Sequence, residues 1–300
     1  MLNIHKLFQG IFLLLWIALT TLFISIFVLL FYGLSQILPH TLQSKITTLL
    51  SKSPYYWATL NKPAIHWLGA KQWKVSYPKE LDPHGIYLVI SNHQSWADII
   101  IILFLLERKI APLKFFMKKE LAWQLPIIGL ACKAIGFPML SRHTKEAIKK
   151  NPELKNKDRE SMINACASVK KNPSSLIIFP EGSRLTRLKQ AKQDSPYPYL
   201  LKPKAGGVAM IVNGVKDNLQ GILDITIDFR AKNSKISLWN FVMGDYTSLH
   251  ADIEFLPIPD KLQGNYEEDK EYRKIIQSWL SERWNLKNQN LTKGRSNAQS

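Results

Sequence analysis

The sequence predicts an α/β domain with a mixed, mostly parallel sheet flanked by helices, preceded by an N-terminal membrane-anchor helix and an amphipathic helical segment. Three observations lead there. No Lys, Arg, Asp or Glu occurs between Leu7 and Ser44. Short continuous apolar runs, "GIYLVIS" and "SSLIIF", read as buried strands and alternate with longer helical stretches. In "ILDITIDF", Leu223, Ile225, Ile227 and Phe229 alternate with Asp224, Thr226 and Asp228, the period of a strand with one buried face. Strands alternating with helices argue for an α/β arrangement.

The anchor is densest from Leu7 to Leu38. A helix of that span is about 48 Å long at about 1.5 Å per residue. It is long enough to cross a bilayer with tilt, or to bend and lie within one leaflet. Pro39 marks its expected end. The stretch is too long for the apolar core of a cleaved signal peptide. No acid occurs before Glu80, whereas Lys45, Lys52, Lys62, Lys71, Lys74 and Lys79 follow the anchor among Tyr55, Tyr56, Trp57, Trp67 and Trp73. Lysines attract anionic headgroups, and Trp and Tyr settle at the membrane interface. The lysine excess after the anchor places the body on the cytoplasmic face (the inner membrane, in a bacterium). Four regions are expected: an anchor over 1–40, a basic aromatic interfacial segment over 41–80, a folded domain over 81–287 and a polar, disordered tail over 288–300.

Within the folded domain, strands are expected over Gly85–Ser91, Leu113–Lys119, Ala134–Leu140, Ser174–Phe179, Ile222–Phe229 and, more weakly, Ala251–Pro257. Helices are expected over Ala97–Lys109, over Lys157–Lys171, and along the stripe Tyr272, Ile275, Ile276 and Trp279.

The chain has 300 residues, 46 % of them apolar, and a formal charge of +17. A balance this basic implies an anionic partner: nucleic acid, a membrane surface or a phosphorylated substrate. Cys132 and Cys166 form no CxxC pair and no Cys/His cluster, so they read as reduced core thiols. No ligand spacing indicates a metal.

The sharpest local pattern is "SNHQSWAD", directly after the first buried run, with Asn92, His93 and Asp98. A carboxylate on one imidazole nitrogen fixes the tautomer and steadies the imidazolium, leaving the other nitrogen to take a proton. On one regular helix, residues five apart point roughly 140° apart, so His93 must lie in the turn and Asp98 in the first helical turn. The plain alternative is a capping box, Ser95 at the N-cap and Asp98 three residues on. The second pattern is "IIFPEGSR", again after a buried run. Gly182 permits close backbone approach, and Arg184 suits phosphate. An ordinary strand-to-loop turn is the plain alternative here.

Together the segments resemble the glycerolipid acyltransferase family of the 1-acyl-sn-glycerol-3-phosphate acyltransferase type. "NHQSWAD" and "FPEGSR" match its His, four residues, Asp block and its Phe-Pro-Glu-Gly block. "KKELAWQLPIIG" and "GFPMLSR" are similar to two blocks between them. The likeness covers roughly residues 85–230. Ser141-Arg142 stands where Asp-Arg is usual, and a long basic segment follows the Phe-Pro-Glu-Gly-Ser-Arg block, as in a subgroup with such insertions.

The resemblance implies direct acyl transfer from acyl-CoA or acyl-acyl carrier protein to the sn-2 hydroxyl of 1-acyl-sn-glycerol 3-phosphate, giving phosphatidic acid for phospholipid synthesis. His93 is the implied general base and Asp98 its partner, with Asn92 shaping the turn. Glu181, Gly182, Ser183 and Arg184 are implied to position the acceptor, with Arg142 and Lys118 as phosphate contacts. No cofactor is implied beyond the thioester co-substrate. The expected partners are membrane phospholipids, a lysophospholipid and the acyl donor, and not nucleic acid. Two other readings stay open: remodelling of a different lysophospholipid, and a non-enzymatic, basic, membrane-associated nucleic-acid-binding protein.

Overall fold

The computed structural model describes residues 4–67, 73–140, 149–151, 153–171, 173–231, 236–262, 264–266 and 268–296; for some of these, Lys118 among them, the backbone alone is described. Helix α1 (Ile4–Ser35) is long and apolar enough to cross a membrane. It is followed by α2 (His40–Leu50), which opens after Pro39, and α3 (Ser53–Trp67).

The body begins with β1 (Trp73–Ser76), β2 (Tyr87–Ser91), α4 (Ala97–Leu105) and β3 (Leu113–Phe115). Next come β4 (Met117–Lys118), α5 (Lys119–Gln124), α6 (Pro126–Ala134) and β5 (Met139–Leu140). Helix α7 (Glu153–Lys171), β6 (Ser175–Ile178), α8 (Arg187–Lys192) and α9 (Ala205–Val215) follow. The chain continues through β7 (Gly221–Ala231), α10 (Leu238–Val242), β8 (Tyr246–Leu256) and α11 (Lys270–Ser296).

The main sheet has the order β1-β8-β7-β2-β6-β3, and every neighbouring pair is parallel except β7 with β8. Strand β2 sits between β6 and β7 and is buried along its whole length, which is why its sequence is continuously apolar. One sheet face packs on α4, α10 and residues of α1 and α3, through Ile101, Phe241, Leu13 and Ala58. The other packs on α7, α9 and α11, through Cys166, Val212, Ile276 and Trp284. A third cluster joins α1, α2 and α6 through Val28, Leu50, Ala131 and Ile135.

Several expectations need correction. Leu113–Lys119 is two strands in two sheets, because β4 leaves the main sheet to pair with β5. Ala134–Leu140 is strand only at its end. Gly136 takes a left-handed φ of 78°, and the N–H groups of Gly136 and Phe137 donate to the carbonyls of Lys133 and Cys132, closing α6 in a Schellman turn.

Strand β7 is buried on both faces as far as Phe229, not on one. Its acids are covered by cations of α11. Arg283 Nε reaches Asp224 at 2.7 Å, Lys287 pairs with the same carboxylate, and Arg295 reaches Asp228 at 3.0 Å. The polar tail expected from 288 is therefore helical to Ser296, since Leu291 is buried and Arg295 is paired. The sheet also begins before residue 81, with β1 pairing along β8.

Of the aromatics read as interfacial, Tyr56 and Trp67 are exposed. Two others are tied to the body and one to α1. The Tyr55 hydroxyl donates to the Ile110 carbonyl, Trp57 Nε1 donates to Thr21 Oγ1 at 2.9 Å, and Trp73 Nε1 donates to the Tyr246 hydroxyl at 3.0 Å.

Candidate active site

The site forms where β2 ends. Backbone pairing of β2 with β7 runs to Ser91 opposite Ile225. Beyond that, the Asn92 side chain acts as a surrogate strand. Its Nδ2 donates to the Ile227 carbonyl at 2.9 Å, and its Oδ1 accepts from the Ile227 N–H at 2.8 Å. Gln94 Oε1 accepts from the Phe229 N–H at 3.3 Å. Asn92 is fully buried, so its amide is a structural fixture of the turn.

His93 projects from that turn, and Asp98 is the second residue of α4. His93 Nδ1 lies 2.9 Å from Asp98 Oδ2. The same oxygen accepts from the Gln94 and Ser95 N–H groups at 2.6 and 2.8 Å. Ser95 Oγ accepts from the Ala97 N–H at 3.0 Å. The expected capping box forms only in part, since Trp96 is the N-cap and Ser95 Oγ takes the Ala97 N–H rather than that of Asp98; the Asp98 carboxylate nevertheless covers two N–H groups at the helix start and holds the imidazole. An oxygen with two N–H donors already on it can only accept, which assigns the Nδ1 proton to this bond and the lone pair to Nε2. Asp98 is 1 % exposed. The imidazole stacks on Phe179, ring centroids 4.1 Å apart.

The Phe-Pro-Glu-Gly-Ser-Arg segment closes over this turn from β6. Glu181 is 1 % exposed, and both its oxygens are occupied. Oε1 accepts from the His93 N–H and Oε2 from the Leu201 N–H, each at 3.0 Å. The Leu185 N–H donates to the His93 carbonyl at 2.8 Å. Burial pushes Glu181 up to about 8, against the pull of the Leu201 and His93 donors. Glu181 therefore braces the His93 backbone; the expected contact with an acceptor is not offered by a side chain this enclosed. Gly182 adopts φ 70°, a left-handed turn that only glycine takes without strain. Ser183 is half-buried beside it and Arg184 is exposed. The Arg184 guanidinium lies 5.0 Å from the centroid of the Trp96 ring, which brings it over the His93 loop. Lys118 is placed by its backbone in β4, and Arg142 lies outside the described residues. Among the described residues no cluster of His, Cys, Asp and Glu suits a metal ion.

A family model described as Acyltransferase matches residues 72–229, which include His93, Asp98 and the Phe-Pro-Glu-Gly-Ser-Arg segment. The chain belongs to the acyltransferase family. The chain is 24 % identical over 217 residues to lysocardiolipin acyltransferase 1 of Mus musculus, covering 68 % of the chain and 53 % of the mouse protein. It is 27 % identical over 176 residues to 2-acyl-1-lysophosphatidylinositol acyltransferase of Saccharomyces cerevisiae, covering 47 % and 44 %. The chain thus spans about half the length of the curated relatives it matches. Its fold is similar to the crystal structure of the 1-acyl-sn-glycerophosphate acyltransferase PlsC of Thermotoga maritima, with a TM-score of 0.50, 20 % identity and coverage of 94 % and 98 %.

Sequence reading missed Gln94, Phe179 and Leu201 as supports of the candidate site. Phe179 stood inside a quoted motif, but its stacking on His93 depends on β2 and β6 being neighbours. Leu201 contributes only a backbone N–H, which leaves no trace in composition.

Proposed function

We propose that the chain transfers a fatty acyl group from a thioester to the hydroxyl of a lysophospholipid, with 1-acyl-sn-glycerol 3-phosphate as the acceptor and acyl-CoA or acyl-acyl carrier protein as the donor. The observation that carries this reading is the 2.9 Å contact of His93 Nδ1 with Asp98 Oδ2 at a strand end inside the family match. With its proton donor side committed to Asp98, the imidazole has Nε2 free to act as a base. The acceptor hydroxyl oxygen attacks the thioester carbonyl carbon while Nε2 takes its proton. The tetrahedral intermediate collapses, the C–S bond breaks, and the departing thiolate takes the proton back. The products are an ester and a free thiol, and His93 returns to its starting state. Arg184, exposed beside the loop, is suited to hold the acceptor phosphate.

Helix α1 suits this chemistry, because a lysophospholipid keeps its tail in the bilayer. One of its faces packs on the body through Gly10, Leu13, Thr20 and Val28, and the opposite face carries Phe8, Leu15, Phe23 and Leu30 exposed. That outer face is the proposed lipid contact, with the body on the cytoplasmic side as the lysine distribution implies.

A second reading, a different lysophospholipid as acceptor, draws on the mouse and yeast relatives, whose names specify lysocardiolipin and 2-acyl-1-lysophosphatidylinositol. Purified protein assayed with labelled acyl-CoA and acyl-acyl carrier protein against lysophosphatidate, lysophosphatidylinositol and lysocardiolipin separates the two. His93→Ala is expected to lower kcat by at least a factor of a hundred, and Asp98→Asn by a similar order through the wrong tautomer. Near wild-type turnover in His93→Ala rejects the mechanism.

A further inference from the structure

We propose that the α5–α6 hairpin, residues Lys119–Ala134, is a second membrane-inserting element that docks the face of the body beside α1 into the bilayer. The proposal rests on the reading of α1 as a lipid contact and extends it to a part of the chain far from α1 in sequence.

Between the two helices the chain turns at Leu125 and re-enters a helix with Pro126 at its first position. The two helices touch backbone to backbone. A Cβ at Gly129 would stand 2.4 Å from the Ala122 carbonyl oxygen, so glycine is what lets the hairpin close. The inner side of α6 is committed, with Ala131 and Ile135 buried against Val28 of α1 and Leu50 of α2. The outer side is not. Trp123 is 80 % exposed, and Leu125, Ile127 and Leu130 are exposed with it.

A soluble surface rarely groups a tryptophan and three branched aliphatics on one short hairpin without a use for them. Three features identify the occupant as lipid. The hairpin's inner side packs directly against α1, the helix proposed to meet lipid, so its bare side stands beside that helix. Lys119 at the start of α5 and Lys133 at the end of α6 are both exposed, one at each base of the hairpin. An apolar tip between two basic bases matches the depth profile of a bilayer, with hydrocarbon below and anionic headgroups above. A Trp on such a tip is the side chain most at home at the boundary. The hairpin also leads from β4 to β5, so its insertion fixes the height of this part of the body over the membrane.

The test uses the intact protein reconstituted into phosphatidylethanolamine–phosphatidylglycerol vesicles whose acyl chains carry bromine, a short-range quencher of tryptophan. Trp123→Phe and, separately, Trp16→Phe are compared with the wild type, and each difference isolates one indole. Trp16 lies on the exposed side of α1. The expected result is that brominated lipid quenches both the Trp123 and the Trp16 contributions. Quenching of Trp16 without Trp123 overturns the hairpin proposal and leaves the reading of α1 in place. Quenching of neither overturns both. Quenching of Trp123 without Trp16 overturns the lipid contact of α1 and with it the proposal that the hairpin extends that contact.

Discussion

Asp98 Oδ2 accepts three hydrogen bonds, from the Gln94 and Ser95 N–H groups and from His93 Nδ1. Helix capping and imidazole positioning are thus inseparable at this atom. Glu181 is the second enclosed carboxyl, and it carries a pH signature. Its unfolded value is near 4.5 and burial holds the folded value near 8. Between these limits the folded chain binds a proton that the unfolded chain has released. Its contribution to stability is full below about pH 4.5 and is lost as pH rises through about 8. Glu181→Gln should flatten that slope. It should also lower stability by about 1–3 kcal/mol, since one amide oxygen is available for two N–H donors. Thermal midpoints near pH 5 and near pH 8 check both effects; a wild-type slope in the variant would falsify the assignment. Lys114 on β3 is another such group. It is fully buried, its Nζ has no hydrogen-bond partner among the described residues, and burial pulls it down to about 8. Lys114→Met, similar in volume and uncharged, should raise the thermal midpoint at neutral pH by an amount on the order of 1–3 kcal/mol in stability. An unchanged or lower midpoint counts against an unpaired charge there.

At the scale of the element, α11 and β7 form one electrostatic unit. Lys287 is fully enclosed: it pairs with Asp224 and donates to the Ile225 carbonyl at 2.6 Å. Burial lowers its pKa, opposed by the Asp224 carboxylate. Two residues further along β7, Ile227 holds the Asn92 amide, and Asn92 precedes His93. Lys287→Met leaves Asp224 with Arg283 alone and should cost about 3–5 kcal/mol. Adding Asp224→Leu should recover most of that loss, because a pair replaced by apolar groups is close to neutral. A double-mutant cycle by chemical denaturation measures the coupling, and additive losses would contradict it. This unit also shows what sequence could not convey. The alternation of Asp224, Thr226 and Asp228 read as one wet face because nothing local announces a cationic helix nearly sixty residues on. The His93 turn was legible because its chemistry is contained in one short segment. The end of α6 was misread because "AIGFPML" is apolar enough for a strand, while the left-handed Gly136 that breaks it is a conformational fact.

For the molecule as a whole, α1 is a structural member of the body as well as the proposed anchor. Lys6 pairs with Asp245 at 3.2 Å, Thr20 Oγ1 donates to Asn61 Oδ1 at 3.0 Å, and Leu13 and Val28 sit in two different apolar clusters. Deleting residues 1–35 should therefore not release a well-behaved soluble domain. It uncovers apolar surface on α3, α6 and α10, and size-exclusion chromatography without detergent should give aggregates. A monodisperse monomer would show that α1 is dispensable to the body. The burial of β7 on both faces has a further consequence in time. The ribosome delivers β7 well before α11, so a growing polypeptide holds Asp224 and Asp228 without their cations until Arg283, Lys287 and Arg295 have been added. The strand that holds the Asn92 amide is thus charge-compensated only after that helix has been made.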